Sequence, residues 1–291
     1  NDVQVFAPNG AFLRKFGAAG SGGAEFREAA DVAAVGDKVY VADRNNARVQ
    51  VLTPQGEFLA LVDGRQPVSG ASNARLPLRV DADALGRIFL INYHDTKLYR
   101  YSTLGAALER RYDVDCLIGE HQGLAVLPSG VAFCSSMSGG VWRLPLTGPA
   151  TQIGGGVTGE PPALGVIAQL TSAPDNTVWA YRNESDTGAG SQVNQFIHLA
   201  ADGAVLGQFS VPGDILDIAA SADRIFALTD ARRVRVCDWN GQVISEWGAD
   251  AFAALTAFEK PDRIAAAPDG TFYVLERERK RLRHLSANGE V

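Results

Sequence analysis

The sequence contains few of the side chains that build metal sites and covalent cross-links. It has three cysteines, Cys116, Cys134 and Cys237, and four histidines among 291 residues. Because the cysteines are odd in number and widely spaced, the sequence indicates neither a disulfide framework nor a zinc-binding motif. Cys134 and Cys237 lie inside apolar patterns typical of strands, and we therefore predict that both are buried thiols.

Long apolar runs and an excess of positive charge are also missing. No stretch approaches the roughly 18 apolar residues of a membrane-spanning helix, and no signal peptide is visible at the start. The only methionine is Met137, so we expect the chain shown to be processed, trimmed or part of a longer protein. The net charge of −6 argues against a general nucleic-acid or anionic-membrane binder, because such surfaces need an excess of Lys and Arg.

A short apolar run with an aromatic residue near its middle recurs six times along the chain. The aromatic residues follow one another at intervals of 44 to 49 residues and are Tyr40, Phe89, Phe133, Trp179, Phe226 and Tyr273. A sustained period in the middle forties is typical of propeller arrays when the unit consists of strands. Clusters of Gly, Asn, Asp and Pro divide each unit into four short strands, labelled A to D, which in the first unit are 31–35, 38–42, 48–52 and 57–62.

The repeat predicts an all-β fold, a six-bladed β-propeller of four-stranded antiparallel blades. We expect a single domain over 1–291, with blades near 31–64, 76–115, 122–155, 165–211, 214–248 and 262–291, the last joined by 1–17. Residues 12–16 are expected to pair outside 281–285, so that overlap of the N- and C-terminal strands closes the ring and removes an open sheet edge. Residues 3–6 form a surplus strand in this scheme, which leaves a seven-bladed arrangement open.

One stretch resembles the repeat core of the NHL family. It is DKVYVADRNNARVQV at 37–51, an apolar strand, a polar turn with Asn and a second strand. The segments VQVFAPNG at 3–10 and FLRKFG at 12–17 look like the second half of such a repeat, and RRVRV at 232–236 is a weaker copy. The resemblance implies a propeller, and some NHL propellers bind single-stranded RNA on a basic face.

Candidate functional residues gather in the B–C and D–A loops, which lie on one face around the central channel of a propeller and carry sites on a rigid frame. Arginine suits such a face because its planar fork binds carboxylate or phosphate groups, although mixed charge is also typical of a solvated rim with internal ion pairs. The candidate partner-binding residues on this face are Arg44, Asn46, Tyr93, His94, Glu120, His121, Arg182, Glu184, Asp230, Arg232, Glu276 and Arg277.

Metal-dependent chemistry is an alternative for the same face. His94 and His121, with Glu120, project from adjacent blades and could ligate a metal. Catalytic zinc usually needs three protein ligands, however, and no third blade presents a histidine, because His198 and His284 fall inside C strands. Peptide-amidating lyases are similar propellers that hold zinc with several histidines. Gluconolactonase-like propellers hold calcium, for which Asn92 or Asn183 with Glu184 and Asp230 could supply oxygen ligands.

The residues therefore favour a non-catalytic protein-interaction or scaffolding module that uses the B–C and D–A loop face. We expect a protein or peptide partner, and we expect no catalytic residue, metal or other cofactor. A metal-dependent lyase or lactonase-like enzyme stays open as an alternative. Single-stranded RNA binding also stays open, because residues 276–284 form the densest basic run, although the net charge of −6 speaks against it.

Overall fold

The computed structural model describes residues 1–63, 77–105, 107–116, 123–136, 139–154, 164–184, 193–248, 258, 260–276 and 279–286. The chain begins with an antiparallel hairpin of β1 (Val3–Phe6) and β2 (Phe12–Phe16). A short parallel pair, β3 (Ala18–Ala19) and β4 (Glu25–Phe26), follows it. Two 3-10 turns, Arg44–Asn46 and Thr103–Gly105, are the helical elements of the described residues.

Blades 1 to 3 are four-stranded antiparallel sheets whose strands follow one another in chain order. Blade 1 consists of β5 (Ala29–Val35), β6 (Lys38–Asp43), β7 (Arg48–Leu52) and β8 (Phe58–Asp63). Blade 2 consists of β9 (Pro77–Ala82), β10 (Ile88–Asn92), β11 (Leu98–Tyr101) and β12 (Leu108–Tyr112). Blade 3 consists of β13 (Leu124–Val126), β14 (Ala132–Ser135), β15 (Val141–Leu144) and β16 (Thr151–Ile153).

Blades 4 to 6 repeat the plan and complete the all-β, six-bladed propeller that the repeat predicts. Blade 4 consists of β17 (Ile167–Ser172), β18 (Val178–Glu184), β19 (Val193–Leu199) and β20 (Val205–Ser210). Blade 5 consists of β21 (Ile215–Ala220), β22 (Arg224–Thr229), β23 (Arg233–Asp238) and β24 (Val243–Gly248). In blade 6 the described strands are β25 (Pro261–Ala266), β26 (Phe272–Glu276) and β27 (Arg281–Leu285).

The hydrophobic core consists of layers between the faces of successive blades. Five of the six periodic aromatic residues lie fully buried, each in the layer between its own blade and the next. They are Tyr40, Phe89, Phe133, Trp179 and Phe226. The B strands of blades 1 to 5 are buried on both faces, which explains why their sequences are apolar on consecutive residues.

The described residues do not confirm the expected closure by strand overlap. The hairpin β1–β2 is a sheet of its own, and within the described ranges β2 does not pair with β27. The hairpin instead packs by its faces, because Val3 and Phe16 join the apolar cluster of blade 1. The two ends of the chain still meet, since the Tyr273 hydroxyl donates a 2.8 Å hydrogen bond to the Pro8 carbonyl.

The prediction that Cys134 is a free thiol is wrong, because it forms a disulfide with Cys116. The two residues are 18 positions apart in sequence, so spacing gives no sign of the bond. An isolated antiparallel bridge between Cys116 and Ser136 places the segment after blade 2 beside β14 of blade 3. Cys237 is a buried free thiol, as predicted, and burial raises its pKa to about 11.

Candidate functional site

The B–C loop of blade 1 is built around one buried carboxylate, that of Asp43 at the end of β6. Its Oδ2 atom accepts hydrogen bonds from Arg48 Nε at 2.9 Å and from Asn46 Nδ2 at 2.7 Å. Its Oδ1 atom accepts a hydrogen bond from the Arg27 amide at 2.9 Å. Asp43 is fully buried and Arg48 nearly so, and a buried ion pair of this kind needs such additional hydrogen bonds to offset the loss of hydration.

The partners of Asp43 hold the preceding D–A loop. Arg48 donates to the carbonyls of Ser21 and Glu25, at 2.8 and 2.7 Å. Asn46 donates to the Gly20 carbonyl at 2.8 Å, and Gln50 donates to the Glu25 carbonyl at 2.6 Å. The NHL-like residues of blade 1 therefore fasten its B–C loop to the loop that enters the blade. Asn46, predicted as a contact residue, lies buried inside this network.

A cluster of the half-buried Glu28 and Arg44 with the exposed Tyr93 and His94 lies on the same face and joins blades 1 and 2. Arg44 forms an ion pair with Glu28, including a 3.0 Å hydrogen bond from Nε to Oε2. The Arg44 guanidinium lies 5.8 Å from the centre of the Tyr93 ring, within cation–π range. Tyr93 makes an edge-on contact with His94 at 5.7 Å between ring centres, and its residue surface is 46% exposed. We call this group the Arg44–Tyr93 cluster.

The remaining predicted residues that the structure describes lie in blades 4 to 6. Asp230 and Arg232 are exposed in the B–C loop of blade 5, where the Asp230 amide donates to the Asp214 carbonyl. Arg182 is half-buried at the end of β18. Glu276 is fully buried. Glu120, His121 and Arg277 lie outside the described residues, as does the side chain of Glu184.

Glu276 occupies in blade 6 the position that Asp43 occupies in blade 1. Its Oε2 atom accepts from Arg281 Nε at 2.7 Å and lies 3.2 Å from Arg283 Nε. Both arginines belong to the basic run at 276–284. Their charges are thus partly neutralised by a carboxylate beneath them.

The central channel carries a group of aspartates that the sequence analysis did not single out. The A strands enclose a cavity of about 450 Å³ near the A–B turns. Every blade contributes to its lining, through residues that include Ala34, Asp81, Val126, Ser172, Ala220 and Ala266. Burial raises the pKa of Asp81 to about 7 and that of Asp217 to about 6, and it also raises the pKa of Asp31. Aspartate within an otherwise apolar inner strand is the sequence signal that could have revealed these residues.

A smaller cavity of about 260 Å³ lies beside the Asp43 network and is lined by Ser21, Arg27, Asn46, Arg48, Leu61 and Asp63. Among the described residues, no three His, Cys, Asp or Glu side chains converge to hold a metal ion. His94, for its part, is exposed and contacts Tyr93. In the same part of the chain, no helix has the length and apolar content needed to cross a bilayer.

Solved structures share this architecture at low sequence identity. Hydrazine synthase of Kuenenia stuttgartiensis is 11% identical, with a TM-score of 0.60 over 89% of this chain and 84% of that one. Virginiamycin B lyase from Staphylococcus aureus is 13% identical, with a TM-score of 0.57 over the same shares. The Cps50 (Swd1) β-propeller domain of Myceliophteria thermophila is 11% identical, with a TM-score of 0.62 over 95% and 87%. At these identities the likeness concerns the fold alone.

A family comparison is more specific. No curated protein matches the chain significantly. The NHL repeat matches residues 26–52, which include Asp43, Arg48 and Gln50 of the network and strands β6 and β7. Together with the six blades, this match supports an NHL-repeat β-propeller.

Proposed function

We propose that this propeller is a non-catalytic interaction module that binds a protein or peptide partner through its B–C and D–A loop face. The Arg44–Tyr93 cluster carries this proposal. A few residues carry most of the binding energy at protein interfaces, and tyrosine and arginine are enriched among them. Here the two side chains contact each other on the surface, next to a histidine that can also donate or accept hydrogen bonds.

The cluster is held in place by the buried network below it. Arg44 begins the 3-10 turn that directly follows Asp43, and its amide donates a 2.8 Å hydrogen bond to the Glu28 carbonyl. The Glu28 amide in turn donates to Asp43 Oδ1 at 3.3 Å. A surface fixed before binding loses less conformational entropy when a partner docks, which favours affinity.

The ion pairs of blade 6 support a protein partner over RNA. A strand of RNA is bound by unpaired cations that release its counterions. Arg281 and Arg283 lie against the buried Glu276 carboxylate, which lowers the net positive charge of the basic run. The overall charge of −6 acts in the same direction.

Affinity purification from cells that express the protein tests the proposal. Wild type is compared with Arg44→Ala and Tyr93→Ala, and with Leu85→Ala as a matched control. Leu85 is 69% exposed in the A–B turn of blade 2, on the opposite face. We expect a partner that wild type and Leu85→Ala retain equally. Each cluster variant should retain it about 30-fold less, the effect of losing about 2 kcal/mol at a hot spot.

Three results would contradict the proposal. The first is equal retention of every captured protein by all four forms. The second is one equivalent of zinc or calcium in the purified protein by elemental analysis, which would favour the metal-dependent lyase or lactonase. The third is salt-sensitive binding of labelled single-stranded RNA that Tyr93→Ala leaves unchanged, which would favour the nucleic-acid alternative.

A further inference from the structure

The hairpin β1–β2 has the geometry of the outer half of a blade. Val3 pairs with Phe16 and the register shifts between Val5 and Phe6. In blade 1 the outer strands β7 and β8 pair in the same way, with their register shift one residue before the end of β7. The strand β1 therefore corresponds to a C strand, and β2 to a D strand.

The hairpin also contacts its neighbours as an outer C–D pair does. A Cβ atom at Gly10, in its turn, would lie 3.1 Å from the His284 side chain of blade 6. The equivalent Gly203 of blade 4 approaches Arg143 of blade 3 in the same manner, at 3.4 Å. On its other side Phe16 covers the turn glycine of blade 1, as D-strand side chains do at the blade 1–2 and blade 4–5 interfaces. The hairpin thus occupies the outer part of a blade position between blades 6 and 1.

Between the hairpin and the central channel, this blade position has two walls, one on blade 1 and one on blade 6. The wall on blade 1 exposes an apolar side chain whose equivalents in other blades are buried. Val32 in β5 is 53% exposed. The residues in the same register of blades 2, 4, 5 and 6 are 4 to 7% exposed and are Val80, Leu170, Ile218 and Ile264. Those residues are covered by the inner strands of the preceding blade, and Val32 has no such cover among the described residues.

The opposite wall, on blade 6, shows the same pattern. Leu275 in β26 is 37% exposed, whereas its equivalents in blades 1 to 5 are at most 1% exposed. Tyr273, the sixth periodic aromatic residue, is half-buried while the other five are fully buried. Ala265 is exposed where its equivalents Ala125 and Ala219 are buried. We call the space between these two walls the seam. Its wall on blade 1 contains Val32 and Ala34, and its wall on blade 6 contains Ala265, Tyr273 and Leu275.

Among the described residues, the seam also has a backbone edge that no strand covers. Inner strands pack side by side from β5 through β9, β13, β17 and β21 to β25, but β25 and β5 do not pack in this way within the described part of the chain. The strand β1 pairs only with β2 in the described sheets, whereas every C strand of blades 1 to 5 has a B strand on its other side. Its second edge can therefore accept a further antiparallel strand, as in binding by strand addition.

We propose that the seam binds a β-hairpin of a partner protein, which takes the places of strands A and B beside β1. The other blade interfaces define its chemistry. Its outer strand should be apolar on both faces and pair with β1. Its inner strand should carry small or aliphatic side chains, and a tight turn should join the two. This surface is separate from the Arg44–Tyr93 cluster, so each can be tested without the other.

A hairpin of this chain serves as the probe. The peptide AADVAAVGDKVYVAD has the sequence of 29–43, which forms strands A and B of blade 1. Its fluorescence anisotropy is followed on titration with wild type, Val32→Asp and Leu275→Asp. Val205→Asp and Leu206→Asp are the matched controls, because both residues are about half exposed on β20 of blade 4. A peptide of the same composition in scrambled order controls for nonspecific binding.

We expect saturable 1:1 binding to wild type and to both controls, at least tenfold weaker binding to Val32→Asp and Leu275→Asp, and none of the scrambled peptide. In wild type, hydrogen exchange should slow in β1 and in β26 when the peptide binds. Absence of binding, or equal binding to all variants, would overturn the proposal. So would faster exchange in β5 and β6, which would indicate that the peptide displaces the native hairpin. Loss of the monomer at rising protein concentration, blocked by Val32→Asp, would identify a second copy of this chain as the occupant instead.

Discussion

The Asp81 carboxylate of blade 2 accepts a hydrogen bond from the Val126 amide of blade 3, with 2.9 Å between Oδ2 and N. An innermost strand has one edge without a neighbouring strand, so its amides need other partners. Aspartates from preceding blades supply such partners at two more interfaces, where Asp31 binds the Val80 amide and Asp217 binds the Ile264 amide. Side chains thus link consecutive blades across the channel wall.

The Asp81 bond predicts an unusual dependence of stability on pH. Because burial raises the pKa of Asp81 to about 7, the folded protein holds a proton that the unfolded chain releases near pH 4. This contribution to stability is full below about pH 4 and is lost as the pH rises through about 7. The free energy of unfolding of Asp81→Asn, relative to that of wild type, should therefore rise by about 1–3 kcal/mol between pH 4.5 and pH 8, after allowance for solvent in the channel.

Urea unfolding of both proteins at several pH values measures this difference. Asp37→Asn is the control, because Lys38 lowers the pKa of that exposed carboxylate and any trend should have the opposite sign. A difference between wild type and Asp81→Asn that stays constant from pH 4.5 to pH 8 would refute the prediction.

The Asp43 network predicts a large effect of a single buried side chain. Asp43→Ala leaves the Arg48 guanidinium buried without its carboxylate, and breaking a buried pair in this way costs about 3–5 kcal/mol. The midpoint of urea unfolding should fall accordingly, and limited proteolysis should cut within 17–28, the segment that Arg48 and Gln50 hold. Asp37→Ala, in an exposed turn, should leave both unchanged. A loss below about 1 kcal/mol for Asp43→Ala would show that the network contributes little.

The repeat in the sequence was sufficient to predict the blades, because each periodic aromatic residue reports a local pattern of turn and strand. Strand β7 was predicted at its observed bounds, 48–52. The disulfide and the hydrogen bonds of the channel aspartates could not be predicted, because they depend on which residues of different blades come into contact in the folded chain. Asp43 and Asn46 illustrate the same limit, since both read as polar loop residues and the structure buries both. Tyr93, which follows the apolar β10, could be recognised as an exposed loop residue from its position alone.

The disulfide predicts one titratable thiol. Native protein should react slowly with a thiol reagent, and denatured but unreduced protein should release one equivalent, from Cys237. Closing a loop of 18 residues stabilises the fold by about 3 kcal/mol, so Cys116→Ser should lower the free energy of unfolding by about that amount. Adding a reductant to wild type should have the same effect and should leave Cys116→Ser unchanged. Three reactive thiols in unreduced, denatured protein would contradict the assignment.

His198 predicts a second, opposite dependence on pH. Its ring stacks on Trp179 at 4.1 Å between centres, and its Nε2 atom lies 2.8 Å from the Thr177 hydroxyl. Burial lowers the pKa of His198, so the unfolded chain takes up a proton before the folded protein does. The stability that the neutral ring contributes is present above about pH 6.5 and is lost as the pH falls through the folded pKa.

The variant His198→Phe keeps an aromatic ring against Trp179 and removes the titration. We expect wild type to lose stability relative to His198→Phe as the pH falls below about 6.5, measured by urea unfolding. Tryptophan fluorescence provides a second readout, because a protonated imidazole beside Trp179 should quench it in wild type and not in the variant. His284→Phe is the matched control, since His284 stacks on Tyr273 rather than on a tryptophan. Equal loss of stability and equal quenching in wild type and His198→Phe would mean that other groups dominate acid unfolding.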